Sequence, residues 1–343
     1  MLSFEEFKRY VENHLEEYLP PQYKNASIGI QNVQKNNGLV LAGLTVLPIG
    51  HNIAPTIYLN EYYQNYTQGK PIEDILEDVS ATACLHMCPQ GFDNVAYDFK
   101  NFDFVKDRVV MVAVNREKNM DLLSKVPHET FEDLAIIYKV VVGTDQTDLS
   151  TITIYNQHME FWGASATELH ELAMKNTKEL LPVKVQTMKE VMVNMLLKDG
   201  LDPEVVEQAY EMMNVEEQMF VISNEQNING AVNMMYDDVL SDIAEQVGTD
   251  LYIIPSSVHE CIAVSCDVIS AEALAEMVSE VNADCVSEAE VLSDHVYRFN
   301  AKEKTLTLAD TTVEELGLIA AEGGQEYGTK QENVEAARPR RHR

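Results

Sequence analysis

Apolar residues near the start of the chain recur first at helical spacing and then at strand spacing. Those within 4–18 lie three or four positions apart, which predicts an amphipathic helix ending before Pro20. Apolar and polar residues then alternate over 28–33, and a long apolar run covers 39–47. Because the strong turn signal Asn37-Gly38 lies between the two runs, the sequence predicts a β-hairpin here.

The middle of the chain is predicted to contain strands followed by helices. β-branched residues are frequent in 108–114 and 134–142, and a shorter run covers 151–155, so all three are predicted strands. Apolar residues then return to helical spacing, which predicts helices over 165–180 and 183–197.

The last third centres on the stretch DLYIIPSSVHECIAV at 250–264. Two short apolar runs flank a polar segment that begins at Pro255, which predicts two buried strands joined by a tight connection. A strand near 219–222 precedes this stretch, a helix over 271–281 follows it, and a hairpin over 297–308 closes the folded part.

Strands lie between helices without a regular strand–helix–strand rhythm, and a hairpin occurs near each end. This pattern favours an α+β fold with mixed or antiparallel sheets, packed helices, two lobes and a disordered C-terminal tail. The predicted parts are an N-terminal α+β lobe (1–164), a helical connector (165–214), a C-terminal α+β lobe (215–321) and the tail (322–343).

The charge balance restricts the partners. The chain has 56 acidic and 25 basic residues, a formal net charge of −31. A field of this sign repels nucleic-acid backbones and anionic membranes, so we expect a protein partner for the acidic body and no membrane partner. The tail is the basic exception, with Arg338, Arg340, Arg341 and Arg343. It is predicted to be solvated, with folding back onto the body or contact with nucleic acid as alternatives.

Cysteine usage and hydropathy indicate the compartment. Five cysteines are few and odd in number for 343 residues, which argues against a disulfide framework. Acidic residues occupy the first turn, where a signal peptide has an apolar run. Since no segment reaches the roughly 18 apolar residues of a membrane span, we expect a cytoplasmic protein.

The polar connection in 250–264 carries the residue types of a hydrolase triad. The candidate catalytic residues are Ser256, Ser257, His259, Glu260 and, from a second His-Glu pair, His128. A nucleophile and a base must meet in space, and adjacent residues of an extended segment point to opposite faces. No G-x-S-x-G motif is present, so a turn held together by its own serines is the alternative.

Metal and cofactor motifs are incomplete. Three His-Glu pairs begin at His128, His170 and His259, but none continues to the second histidine of H-E-x-x-H, which excludes that zinc motif. Cys84 and Cys88 lie four apart on a predicted helix and are weak metal candidates without a matching second pair, so buried structural cysteines are the alternative. G-x-x-x-x-G-K and G-x-G-x-x-G are absent, so we expect no nucleotide cofactor.

Several long motifs carry a family resemblance. The segments IQNVQKNNGLVLAGL, NIAPTIYLNEYYQNY, VPHETFEDLAIIY, TIYNQHMEFWG and LYIIPSSVHE resemble a bacterial domain-of-unknown-function family numbered 5688, over about residues 1–310. A more distant similarity, in SNEQNINGA and YIIPSSVHE, is to the family numbered 1444. The resemblance implies a bacterial protein and brings no activity, cofactor or catalytic residue. It draws attention to the 250–264 stretch and also to Pro127-His128, Asn156, His158 and Trp162.

Three functions remain open at this point. The absence of a complete catalytic motif, together with the acidic composition, favours a non-enzymatic binding or interaction protein. The first alternative is a hydrolase with Ser257 as nucleophile and His259 or His128 as base. The second is an acidic mimic of DNA, against which the dispersion of the acidic residues argues.

Overall fold

The computed structural model describes residues 1–51, 54–86, 99–144, 149–202, 205–206 and 218–309. The helices in this part of the chain are α1 (Phe4–Tyr18), α2 (Leu59–Thr67), α3 (Ile72–His86), α4 (Phe102–Val105), α5 (Met120–Leu123), α6 (Asn156–Trp162), α7 (Ala166–Leu180), α8 (Met188–Lys198), α9 (Asp237–Val247) and α10 (Ala271–Cys285). The strands are β1 (Ser27–Gln34), β2 (Val40–Leu47), β3 (Thr56–Tyr58), β4 (Val109–Asn115), β5 (His128–Phe131), β6 (Leu134–Thr144), β7 (Leu149–Thr153), β8 (Val183–Thr187), β9 (Met219–Asn224), β10 (Leu251–Ile254), β11 (Cys261–Ser265), β12 (Tyr297–Asn300) and β13 (Thr305–Leu308).

The α+β prediction is confirmed, and the strand pairs between these elements are antiparallel. None of the described helices is long and apolar enough to cross a lipid bilayer. The predicted C-terminal tail, with its four arginines, lies outside the described residues.

The described residues of 1–86 form what we call the N-terminal unit. Helix α1 begins with a capping box. Ser3 Oγ accepts a hydrogen bond from the Glu6 amide, and the Ser3 amide donates to the Glu6 carboxylate. Phe7 and Leu15 on α1 are fully buried, because the apolar stripe of the helix packs on the three-stranded sheet β1-β2-β3 and on α2 and α3.

The second sheet has the order β4-β6-β5, with β7 paired to β6. Both faces of this sheet pack against hydrophobic clusters, and the six residues Val109–Val114 are therefore all buried. Tyr138 and Val140 point into the main core, while Ile137 and Val141 point to the opposite face.

The third sheet has the order β13-β12-β10-β11-β9-β8. The predicted pair of buried strands in 250–264 is confirmed: β10 and β11 are antiparallel at the centre of this sheet. Phe220, Tyr297 and Phe299 pack from it into the same core as Tyr138, so the second and third sheets share one hydrophobic core.

The predicted helix over 183–197 is wrong in its first third. Val183–Thr187 is strand β8, which pairs with β9, and helix α8 begins only at Met188. Strand pairing therefore crosses from the predicted connector into the predicted C-terminal lobe, while the four-part division itself stays a prediction. The dipeptide Asp202-Pro203 predicts a further helix that runs to about residue 214, and nearly all of it lies outside the described residues.

Candidate functional site

The connection between β10 and β11 is held by a second chain segment at 290–293. The Val258 amide donates to the Glu290 carbonyl at 2.8 Å, and the Leu292 amide donates to the Ser256 carbonyl at 2.9 Å. Ser257 forms an isolated bridge with Val291. The polar turn is therefore built into the sheet as a short strand-like contact.

The Ser257 hydroxyl is used within the turn. Its Oγ accepts a hydrogen bond from the His259 backbone amide at 3.1 Å, a local motif typical of serine in turns. In the described part of the chain no hydrogen bond joins this hydroxyl to the ring of His259 or of His128. The contact that activates a serine nucleophile, from hydroxyl to imidazole, is thus not formed there.

His259 connects three segments. Its Nδ1 accepts from the Asn229 amide at 3.3 Å, so the neutral ring carries its proton on Nε2, which faces Glu290 Oε1 at 3.5 Å. Its carbonyl accepts from Ser223 Oγ at 2.8 Å and from the Gly230 amide at 2.9 Å. These contacts position the 229–230 turn against the β10–β11 connection.

The other candidate residues are dispersed. Glu260 is exposed. His128 begins β5 and donates from Nδ1 to the Val126 carbonyl at 3.0 Å. Cys84 is partly buried on α3, and Cys88 lies outside the described residues. Among the described residues, no three His, Cys, Asp or Glu side chains come together as metal ligands.

An aromatic cluster lies at α6, where the sequence resemblance points. The rings of Phe99 and His158 meet edge to face at 4.9 Å, and Trp162 packs against both. The Trp162 Nε1 donates to the Phe99 carbonyl at 3.0 Å. Burial lowers the pKa of His158 below its usual range, which favours the neutral ring.

A groove of about 720 Å³ opens beside His170, which the sequence marked only as part of a His-Glu pair. The buried Tyr138 hydroxyl lies 3.0 Å from His170 Nδ1, and Glu129 Oε2 lies 3.5 Å from the same nitrogen. Burial raises the pKa of Tyr138, so its hydroxyl stays protonated. Sequence reasoning missed this group because its members come from β5, β6 and α7.

Oppositely charged side chains pair with each other on the side of the groove formed by Lys178 and Asp238. Lys178 forms an ion pair with Asp238 at 2.6 Å, and its ammonium lies 4.3 Å from the centre of the Tyr236 ring. This lysine already has a carboxylate partner and an aromatic neighbour. The arrangement suits a small polar ligand next to the His170 ring more than a highly charged one.

Helix α8 and strand β8 form a surface of a different kind. No side chain of α8 is buried, although most of its sequence MKEVMVNMLLK is apolar. Met195 is 60% exposed and Leu197 is 40% exposed. Strand β8 ends the third sheet, and Val185 on it is 39% exposed. We call α8 together with β8 the α8 surface.

Comparisons with known proteins identify a family and no individual relative. The model of a family described as "Family of unknown function (DUF5688)" matches residues 4–301. No curated protein and no solved structure matches the chain. The more distant similarity to the family numbered 1444 stays a prediction.

Proposed function

Because the chain belongs to DUF5688, a family of unknown function, we propose a function from its own surface: a non-enzymatic protein that binds a cationic protein partner. The observation that carries the proposal is the α8 surface. This helix is rich in methionine, leucine and valine, yet none of its side chains is buried in the hydrophobic core of the protein. Apolar areas left exposed in this way mark interaction sites, and exposed methionines adapt to a partner.

The edge of β8 adds a second means of binding. In the described part of the chain, β8 pairs on one side only, with β9. In the same part of the chain no strand pairs with the outer edge of β8, so this edge can accept a further strand, and Val185 supplies apolar contact there. A partner segment that is extended and apolar fits this edge.

Charge specifies the chemistry of the partner. A net charge of −31 attracts cationic proteins over a distance and repels anionic ones. The α8 surface itself carries Lys184, Lys189 and Lys198 against Glu190. We therefore propose a basic partner whose apolar docking segment is itself not basic, and whose association slows as salt screens the long-range attraction.

A tagged full-length chain tests the proposal in a native pull-down with cross-linking. We expect a basic protein to be recovered and cross-linked to 183–198, and recovery to fall about tenfold in Met195→Asp. Phe161→Asp is the matched control, since Phe161 is 66% exposed and belongs to α6, which is not part of the α8 surface. Equal recovery with both variants contradicts the proposal. So does a Met195-dependent dimer of the chain itself, which makes a second copy the partner.

The hydrolase and DNA-mimic alternatives stay predictions. The contacts of Ser257 with the His259 backbone do not favour the hydrolase. Turnover of a generic ester that disappears in Ser257→Ala would reverse this preference.

A further inference from the structure

The groove beside His170 has the size and the apolar contacts of a small-molecule site, and we call it the His170 groove. Its volume of about 720 Å³ falls within the roughly 300–1,000 Å³ of typical ligand pockets. Met174 and Met235 pack against the main core and also line the groove. The Tyr236 hydroxyl donates to the Met174 carbonyl at 2.9 Å, which joins α7 to the start of α9. Two methionines held in this way give an apolar part of a ligand a place to pack.

His170 offers a positioned hydrogen-bond donor to this groove. The Tyr138 hydroxyl is buried and lies 3.0 Å from His170 Nδ1, and the two rings meet edge to face at 6.1 Å. Because a buried hydroxyl needs an acceptor, Tyr138 donates to Nδ1, and the neutral ring carries its proton on Nε2. The His170 side chain is 28% exposed and lines the groove, so Nε2 is the nitrogen that can donate to a ligand there.

Charges of both signs line the groove in equal number. The basic side chains are Lys175, Lys178 and Lys304, and the acidic ones are Glu171, Asp237 and Asp238. Lys178 and Asp238 form an ion pair with each other at 2.6 Å. The remaining charges repel a ligand with a net charge of either sign, whereas a ligand with one charge of each sign is complementary to them.

We propose that the His170 groove binds a small zwitterion, a molecule with one carboxylate, one ammonium and an apolar side chain. The carboxylate accepts from His170 Nε2 and pairs with Lys304, while the ammonium pairs with the acidic side chains. The apolar side chain packs on Met174 and Met235. A free amino acid and a short peptide share this chemistry, and the groove is large enough for either.

Calorimetric titration of the full-length chain with leucine, and separately with leucyl-leucine, tests the proposal, and the tighter ligand identifies the source. The acetylated form of each ligand lacks the ammonium, and the amidated form lacks the carboxylate. We expect either modification to weaken binding about tenfold, the loss typical of a charge-assisted hydrogen bond. The proposal is overturned if neither ligand binds, or if either modified form binds as tightly as the unmodified ligand.

Two lysines of the turn between β12 and β13 supply a matched pair of variants. Lys302 and Lys304 are both exposed in this turn, but of the two only Lys304 lines the groove. We expect Lys304→Met to weaken binding about threefold, the effect of losing an exposed ion pair, and Lys302→Met to leave it unchanged. Equal affinity in the two variants contradicts the assignment of Lys304.

His170→Phe removes the donor, and should weaken binding about tenfold. Because it also takes the acceptor from the buried Tyr138 hydroxyl, it is made together with Tyr138→Phe and compared with Tyr138→Phe alone. Equal affinity of these two proteins overturns the proposal.

NMR of methionine methyl groups locates the ligand independently of the variants. Saturating ligand should shift the signals of Met174 and Met235 and leave that of Met195, on the α8 surface, unchanged. A shift at Met195 alone overturns the proposal. Met195→Asp should bind the zwitterion normally, so this site and the proposed protein-binding function can fail separately.

Discussion

At the scale of single residues, His259 illustrates how far a sequence motif reaches. The dense group of reactive side chains in 250–264 was visible in the sequence, but its bonding was not. Asn229 and Ser223, which contact His259, are 30 and 36 positions away, and Glu290 comes from a third segment. The role of a histidine depends on the partners that the fold supplies. Sequence spacing alone therefore does not decide whether His259 is a catalytic base or a residue that joins chain segments through hydrogen bonds.

A substitution at Gly230 tests the contacts by which His259 positions the 229–230 turn. A Cβ placed on this residue would lie 2.6 Å from the His259 carbonyl oxygen and 2.7 Å from the Ser223 Cα, both backbone atoms that cannot turn aside. We expect Gly230→Ala to lower the free energy of unfolding by about 1–3 kcal/mol through overpacking. Chemical denaturation measures this loss.

Gly29→Ala is the matched control for Gly230→Ala. It also replaces a glycine, in β1, but nothing lies within 4 Å of the added Cβ. We expect it to be neutral or stabilising, because alanine lowers the entropy of the unfolded chain. If both substitutions lower the free energy of unfolding equally, the short distances from an added Cβ to His259 and Ser223 are not the reason that Gly230 is required.

The stability of the fold depends on pH through Lys139, because burial lowers the pKa of this lysine to about 8. Between about pH 8 and the ordinary value of 10.5, the unfolded chain binds more protons than the folded chain, so folding gains stability as pH rises. Below pH 8 the cost of the buried charge is fully present. We expect Lys139→Met to be more stable than wild type by about 1–3 kcal/mol at pH 7.

This advantage of Lys139→Met should shrink as pH rises from about 8 to 10.5, because the folded wild-type lysine loses its proton over this range, and it should vanish above 10.5, where the lysine is neutral in both states. Denaturation at pH 7 and pH 10 measures the difference between the two proteins. Taking the difference cancels the titration of tyrosines and other lysines. A constant difference at both pH values would show that burial does not disfavour the Lys139 charge.

At the scale of elements, the segment 183–197 shows where periodicity misleads. Val183 and Val185 alternate with polar residues, which is typical of a strand, yet the apolar run of the following helix dominates the window. Thr187 and Glu190 form a capping box that places the true start of α8. This sequence signal was present, whereas the pairing of β8 with β9 depends on a tertiary contact.

Thr187→Ala tests this boundary. Thr187 Oγ1 accepts a hydrogen bond from the Glu190 amide at 3.2 Å, and the Thr187 amide donates to Glu190 Oε2 at 2.8 Å. Losing the cap should cost about 1 kcal/mol and fray the first turn of α8. Hydrogen exchange should quicken at the start of α8 and stay unchanged at α7, which keeps its own Ser165 cap. Unchanged exchange in both helices would contradict the role of the cap.

At the scale of the whole molecule, the sequence predicted the fold class and left the arrangement open. The hairpins β1–β2 and β12–β13 join neighbours in sequence, and the Asn37-Gly38 turn signal predicts the first of them. The core shared by the second and third sheets joins Tyr138 to Tyr297, and no local pattern encodes such a pairing. The groove beside His170 arises from contacts of the same long-range kind.

The N-terminal unit attaches to the rest of the molecule through asparagines. Asn119, only 1% exposed, lies with its amide nitrogen 3.0 Å from both Asn36 Oδ1 and Asn37 Oδ1, and its Oδ1 accepts the Asn37 amide at 3.0 Å. Asn37 also donates to the Val291 carbonyl at 2.7 Å. The turn that the sequence predicted from Asn37-Gly38 is therefore also the contact that docks the unit.

Asn119→Ala should loosen this docking while both parts keep their own cores. Removing the amide leaves the partly buried Oδ1 atoms of Asn36 and Asn37 without this donor, at a cost of about 1–3 kcal/mol. Since the N-terminal unit has a separate hydrophobic core, we expect its unfolding to separate from that of the main core. Calorimetry should resolve two transitions in place of one, and hydrogen exchange should quicken first at the Asn37 turn.

Asn65→Ala is the control for Asn119→Ala, since Asn65 is exposed on α2 within the same unit. It should leave a single transition. If Asn119→Ala also shows one transition, lowered in temperature, the two parts form one cooperative body and the asparagine contacts stabilise it as a whole.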